Sequence, residues 1–455
     1  MRPRCFGSGA VLLLGGHNRP MRARLIAAIA LLALAVPAAE RSFAPYTSVQ
    51  AILETFRDQL PAALQNPNAA KWTAWSRQQD RTIRSRLEQG DLDSMVNLLL
   101  FGTSFTTRPR VRIEDLAQAS KSGLLRGRVD DLVQGLRAPG GNERLSFLRT
   151  MLVRKNVDPD KTGAFILQNL ERVLKENVTF AQQVQSGNRA QVFHDRGVSL
   201  DTTILPNFGI EETLRDMKNH GNLRENTVRR IAVIGPGLDF TDWDSGYDYY
   251  PQQTIQPFAL YDSLLRLALA KSGSLEITVL DISPRVIDHL QQAQNRARKS
   301  EAYVLQLPRG EARRWTPGAV TYWSTFGDRA GESVAPIPPP AILNGTETRA
   351  VRIRPEVVLA CQPVDLDIVL QRLDLAPAAR FDLVIATNMF VYYNALEQNL
   401  ALENVAAMLK PGGFLLSNDK LVDRPGGVMK SAGSTMVWYT DQPKAGDSVN
   451  WYRKQ

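Results

Sequence analysis

The chain is poor in residues that cross-link a fold or hold soft metals. Of its 455 residues two are cysteine, Cys5 and Cys361, and four are histidine. With Cys5 in the N-terminal segment, Cys361 has no intramolecular disulfide partner, and no Cys/His cluster shows metal-ligand spacing. No run of lysines and no aromatic-basic stripe occurs. The net charge of +9 comes from scattered arginines such as Arg108, Arg110, Arg112, Arg229, Arg230, Arg313 and Arg314. Charge spread in this way reads as a solvated basic surface, and there is no strong nucleic-acid signal. Long apolar runs are absent too. Residues 25–36 are Leu-, Ile- and Ala-rich, but too short for a comfortable bilayer span of about 20 residues. They follow the basic Met21-Arg-Ala-Arg24 and precede small Ala38 and Ala39, the order of a secretory signal peptide. Residues 1–40 are therefore expected to be a signal peptide or an uncleaved N-terminal anchor, with export or membrane association as the consequence.

What is present fits an ordinary globular chain with room for two or three cores: 44% hydrophobic and 22% charged. Residues 45–222 read as a helical domain. In residues 48–59, Val49, Ile52, Leu53 and Phe56 recur at three- and four-residue spacing. Similar apolar spacing continues through residues 113–136, 147–153 and 163–184, and Asp158-Pro159-Asp160 is a helix-start signal. No catalytic motif stands out in this half.

From Arg229 the pattern changes to short apolar runs alternating with helical stretches. Strands are expected at residues 231–234, 275–280, 357–360, 381–386 and 413–417, with helices at 261–270, 284–297 and 396–409. That alternation predicts an α/β fold, a Rossmann-type doubly wound and mostly parallel sheet over residues 227–455, preceded by the helical domain. Residues 301–354 break the alternation with Pro, Gly and Thr and with a strand-like stretch at 319–326. They are read as an inserted small β subdomain or arm. Residues 435–440 suit an antiparallel edge.

Four elements carry the chemistry. Ile231-Ala-Val-Ile234 runs into Gly235-Pro-Gly237, where missing side chains let a ligand approach the backbone. Asp239 follows; it disfavours a pyrophosphate and suits a positive amino group or a sulfonium. Asp281 ends the next strand in Leu280-Asp-Ile-Ser-Pro284, where a carboxylate can accept from both ribose hydroxyls, or, more plainly, where Asp and Ser cap a helix. Phe381-Asp-Leu-Val-Ile-Ala-Thr-Asn388 is a strand followed by the aromatic Phe390, Tyr392 and Tyr393, which could equally be core. Pro411-Gly-Gly413 stops a helix before a last strand.

In this order the four elements resemble class I S-adenosylmethionine-dependent methyltransferases, and in detail the chemotaxis-receptor (CheR-like) branch. Asn388-Met-Phe-Val-Tyr-Tyr393 is similar to that branch's Asn-Val-Leu-Ile-Tyr-Phe, and Gln256-Pro-Phe-Ala-Leu260 stands where it has Glu-Pro-Tyr-Ser. The resemblance covers about residues 231–417. It implies S-adenosylmethionine as cofactor and an unidentified methyl acceptor, a small molecule or a protein side chain. Gly235 and Gly237 would line the methionine end, with Asp239 replacing the loop's usual last glycine. Asp281 would hold the ribose, Ile282 would pack on the adenine, and Asp365 would face the adenine amino group. Asn388 would sit near the transferring methyl with Tyr392 beside it. Thr387 and Gln256 depart from the branch's arginine and glutamate, against recognition of a receptor glutamate.

Two other readings stay open on the residues. One is a Rossmann module that binds S-adenosylmethionine without turnover; the other is a nucleotide-binding oxidoreductase or nucleotide-sugar enzyme. Localisation is divided between the exported reading of the leader and the cytoplasmic supply of the cofactor. Residues 239–256, with Asp242, Trp243, Asp244, Tyr247, Asp248, Tyr249 and Tyr250, are expected to form an aromatic lid over the crevice.

Overall fold

A computed structural model describes residues 40–185, 203–238, 248–310, 314–421, 424, 426–442 and 445–455. The expected signal peptide or anchor lies outside the described residues but for Glu40, as do Asp239, Asp242, Trp243, Asp244 and Tyr247. Among the described residues no helix is long and apolar enough to cross a membrane.

In chain order, β1 (Arg41–Phe43) leads into α1 (Tyr46–Thr55) and the long α2 (Ala69–Phe101). Next come α3 (Leu116–Lys121), α4 (Leu124–Arg137), α5 (Glu143–Arg154), α6 (Thr162–Gln185) and α7 (Leu205–Asn219). Then β2 (Arg230–Ile234), α8 (Gln256–Arg266), β3 (Glu276–Asp281) and α9 (Pro284–Arg298) alternate. An insertion follows, built from β4 (Tyr303–Gly310), α10 (Pro317–Thr325), β5 (Gly331–Val334) and β6 (Thr346–Ile353). Finally come α11 (Pro355–Leu359), β7 (Cys361–Asp365), β8 (Gln371–Leu373), β9 (Phe381–Ala386), α12 (Ala395–Met408), β10 (Leu409–Ser417), β11 (Met429–Trp438) and β12 (Gly446–Lys454).

Among the described residues, one sheet has the order β11-β12-β10-β9-β2-β3-β7. The five strands from β10 to β7 pair in parallel, and β12 is antiparallel to both of its neighbours. This is the expected Rossmann-type sheet with an antiparallel hairpin on one edge. Alternation along the strands splits two cores. Ile231 and Val233 of β2 and Leu383 and Ile385 of β9 face a core with α7, α8, α9 and the insertion. Ala232, Ile234, Val384 and Ala386 face α1, the first half of α2 and α12. Both faces are thus covered by helices.

The helical half does more than stand beside the sheet. Its first helices complete one of the sheet's own cores, while Met95 through Val173 form a separate helical core. β1 pairs antiparallel with β8, and residues 39–455 are one compact unit. Buried Arg128 fixes the end of α2: Nε donates to the Leu99 carbonyl at 2.7 Å and Nη2 to the Gly102 carbonyl at 2.6 Å, meeting carbonyls a helix end leaves open.

Two expected strands are helices. Residues 319–326 fall mostly in α10: Thr316 accepts from the Ala319 N–H and Pro317 takes the first helical turn, and this cap outweighs the β-prone Val, Thr, Tyr and Trp that follow. Residues 357–360 lie in and just after α11, which starts at Pro355, and the strand begins only at Cys361. The insertion does carry a small antiparallel sheet, β4-β6-β5.

Candidate functional site

Strand connections leave β2 in opposite directions, to β3 on one side and β9 on the other, and a crevice opens at such a switch point beyond the strand C-termini. Here a cleft of about 400 Å³, part of it open to solvent, is lined by Ile234, Gly235, Gly237, Leu280, Asp281, Ile282, Leu366, Ile368, Met389 and Tyr393. Four of the residues named from the sequence meet in it: Gly235, Gly237, Asp281 and Ile282.

The glycines are there for backbone reasons. Both lie at positive φ, +62° for Gly235 and +71° for Gly237. The Gly235 N–H donates to the Leu280 carbonyl at 2.9 Å, continuing the β2–β3 pairing past the strand end. A Cβ on Gly235 would run into the Met389 sulfur across the cleft, so that side too must be bare.

Asp281 is 5% exposed and sits at the tip of β3. One carboxylate oxygen, Oδ1, accepts from the Ser283 N–H at 2.7 Å; the other, Oδ2, is buried without a partner among the described residues. Burial lifts this carboxyl from the usual 3.8 to about 7, against the pull of the Ser283 and Ile282 N–H groups; Asp365 pushes further up and Arg84 opposes it. The capping role expected as the plain alternative is not made: Ser283, the N-cap of α9, forms no side-chain cap hydrogen bond, and the Asp281 bond to its N–H lies within the turn before the helix.

Asp365 is Asp281's register partner across β3 and β7 but does not line the cleft. It is half exposed, and its carboxylate bridges two arginines, Arg41 at 3.0 Å and Arg84 at 2.7 Å. The wall at this end is instead apolar, made by Ile282, Leu366 and Ile368. Between the last two, Asp367 is fully buried; burial, with Asp80 nearby, pushes its carboxyl up to about 8.

The segment after β9 divides its aromatics. Phe390–Tyr392 form a short 3-10 turn, after which Tyr393 is extended and fully buried. Tyr393, rather than Tyr392, therefore forms the cleft wall. Tyr392 is half-buried and its carbonyl accepts from Arg86 Nη2 at 2.9 Å. Asn388 stands exposed at the rim, at φ +56°, next to the lining residue Met389. Behind it, Gln256 Nε2 donates to Thr387 Oγ1 at 2.8 Å.

The contacts of α2 beside the cleft were not legible in the sequence. Helix α2 lays polar side chains beside the cleft: Gln79 on Glu397 of α12, Arg84 on the Ile282 carbonyl, Arg86 on the Tyr392 carbonyl, and Asp91 against Arg285 of α9. These positions are charged or polar at helical spacing, which from sequence looks like a solvated face. The end of the expected lid is pinned: Asp248 accepts from the N–H and hydroxyl groups of Thr103 and Ser104, and Tyr249 meets Thr348 of the insertion at 3.0 Å. This described part ties the loop after α2 to the insertion.

No protein-family model and no curated protein sequence matches the chain. Its solved structural neighbours include an N-methyltransferase, NodS, from Bradyrhizobium japonicum WM9 with S-adenosyl-L-homocysteine. That match has 13% identity, covers 59% of this chain and 98% of that one, and has a TM-score of 0.27. Another is the magnesium protoporphyrin IX methyltransferase ChlM from Synechocystis PCC 6803 with bound SAM: 10% identity, 62% and 97% coverage, TM-score 0.26. A TehB-like SAM-dependent methyltransferase from Corynebacterium glutamicum matches at 10% identity over 55% and 98% of the two chains, with a TM-score of 0.23. Superpositions this loose assign nothing to individual residues; the fold class rests on the strand order above.

Proposed function

We propose that the cleft binds S-adenosylmethionine and that the chain is a methyltransferase acting on a small molecule or a protein side chain. The observation that carries this is the buried Asp281 Oδ2, without a partner among the described residues, in a cleft lined by Gly235 and Gly237. A buried carboxylate oxygen without a donor is costly, and a ribose hydroxyl supplies one. The residues present fit the group: Asp281 to hold the ribose, Ile282, Leu366 and Ile368 as an apolar slot for the adenine, and bare glycine backbone for the methionine end.

Bound there, the cofactor supplies an electrophilic methyl carbon on a sulfonium. The protein's part is to hold that carbon in line with the acceptor and to exclude water. Arg84 and Arg86 fix α2 to the Ile282 and Tyr392 carbonyls beside the cleft. No described residue beside the cleft has to act as a base when the acceptor carries its own lone pair.

Within the fold class we place the chain nearest the chemotaxis-receptor branch. The three-stranded sheet inserted between α9 and β7 and the leading helices support that reading, together with the Asn388–Tyr393 stretch. The neutral Gln256–Thr387 pair favours an acceptor other than a receptor glutamate.

Calorimetric titration with S-adenosylhomocysteine and with NAD tests the cofactor, and label transfer from methyl-labelled S-adenosylmethionine into acceptors tests turnover. Saturable binding of the first ligand alone supports the proposal; binding of NAD alone refutes it.

A further inference from the structure

Asn388 ends a chain of hydrogen bonds that crosses three neighbouring strands of the sheet. Its backbone N–H donates to Asn418 Oδ1 at 2.7 Å, and Asn418 Nδ2 donates to Asn388 Oδ1, also at 2.7 Å. Asn418 Nδ2 donates as well to Asp447 Oδ2 at 3.1 Å, which accepts from the Tyr439 hydroxyl at 2.8 Å. Asn388 follows β9, Asn418 follows β10 and Asp447 lies in β12.

The two ends of an amide side chain are fixed by what surrounds them. A backbone N–H can only donate, so the Asn418 atom facing it is the carbonyl oxygen. The opposite Asn418 atom is then the NH₂, and its two hydrogens go to the Asp447 carboxylate and to Asn388. The Asn388 atom that receives one of them is its oxygen. Asn388's own NH₂ is therefore turned out of the chain toward the rim, where the residue is exposed and this group has no partner among the described residues. The left-handed backbone at φ +56°, which asparagine tolerates better than most side chains, sets the side chain at this angle.

We propose that Asn418, Asp447 and Tyr439 are positioning residues that lock the Asn388 amide with its NH₂ facing the methyl acceptor. This rests on the reading of the neighbouring cleft as the S-adenosylmethionine site. A locked NH₂ donates and cannot accept, so it meets a lone pair on the acceptor beside the atom that takes the methyl group. An acceptor offering only N–H or O–H hydrogens at that place finds no partner.

The test uses the full chain with ¹⁵N-labelled asparagine, the Asn388 side-chain amide being assigned by its loss in Asn388→Asp. An exchange variant, Asn418→Asp combined with Asp447→Asn, keeps the net charge and a partner for every member of the chain. It replaces the NH₂ facing Asn388 Oδ1 with a carboxylate oxygen, so Asn388 must turn its NH₂ inward. The Asn388 amide hydrogens are expected to exchange with water as in an exposed asparagine in the native protein. In the exchange variant they should be slower by roughly tenfold or more, bonded to a charged acceptor. Asn418→Ala should free the amide to turn about its last side-chain bond and move its two hydrogen resonances toward those of an unstructured asparagine. Saturating S-adenosylhomocysteine should shift the Asn388 resonance of the native protein. Identical Asn388 resonances and exchange in the native and exchanged proteins overturn the proposal, as does a resonance unmoved by ligand that calorimetry shows to be bound. If calorimetry shows no binding at all, the cofactor reading fails and the positioning role falls with it, while the exchange comparison still decides the amide's orientation.

Discussion

Gln256 Nε2 donates to Thr387 Oγ1 at 2.8 Å, with both residues buried, one at the start of α8 and one just beyond β9. A single neutral hydrogen bond thus couples the start of α8 to the segment after β9 that carries Asn388.

Thr387→Val keeps the shape of the side chain and removes the acceptor. The Gln256 NH₂ is then left buried without its partner, which costs about 1–3 kcal/mol. Denaturant unfolding of the variant against the native chain measures it. A change below about 0.5 kcal/mol would mean that water or a rotated Gln256 takes over the bond.

Gly235→Ala meets two obstacles, a positive φ and the Met389 side chain. Met389 can move, but it lines the cleft and would shift within it. The variant should fold with a loss of about 1–2 kcal/mol, from strain at a left-handed position. Its affinity for S-adenosylhomocysteine should fall at least tenfold in calorimetry. Adding Met389→Ala relieves the collision and leaves the backbone strain, so it should restore part of the binding and little of the stability.

Asp281 and Asp367 set a pH dependence with a definite sign. Burial raises both carboxyls above the usual 3.8, to about 7 and about 8. The folded chain therefore binds these protons more tightly than the unfolded one. Their contribution to stability is full below about pH 4 and is lost as pH rises through 7 and 8. The melting temperature of the ligand-free protein should fall between pH 5 and 8.5, and Asp367→Asn should flatten that fall. Saturating S-adenosylhomocysteine should reverse the Asp281 share, because ribose hydroxyls favour the charged carboxylate.

The same carboxyl makes cofactor binding pH-linked. Affinity for S-adenosylhomocysteine should rise as Asp281 ionises around pH 7 and level off above pH 8. In Asp281→Asn that dependence should vanish and affinity should drop roughly 10- to 100-fold, the worth of one or two hydrogen bonds to a charged group. Calorimetry at pH 6, 7 and 8 reads both effects.

The sheet was legible because its central strands are short β-branched runs closed by glycine, aspartate or a helix cap. Gly235, Gly237, Asp281 and Ile282 could be named because each is tied to a strand end, and a strand end in a parallel sheet is an address. Asp365 was named by the same rule, yet the rule carries no information on Arg41 and Arg84, which come from far upstream and occupy its carboxylate. Tyr392 and Tyr393 are adjacent, and only the 3-10 turn ending at Tyr392 decides which of them faces the cleft. The misread strand at residues 319–326 had a readable counter-signal in Thr316 and Pro317. The contacts of α2 had none. Arg84 and Arg86 reach the backbone carbonyls of Ile282 and Tyr392, and carbonyls are the same in every sequence.

The most direct test of the account is a crystal structure of the chain with S-adenosylhomocysteine. The ligand is expected between the Gly235–Gly237 turn and Ile282, with a ribose hydroxyl about 2.6–3.0 Å from Asp281 Oδ2. Ligand density elsewhere on the chain, or an Asp281 carboxylate bonded only to its own loop while ligand fills the cleft, would contradict it.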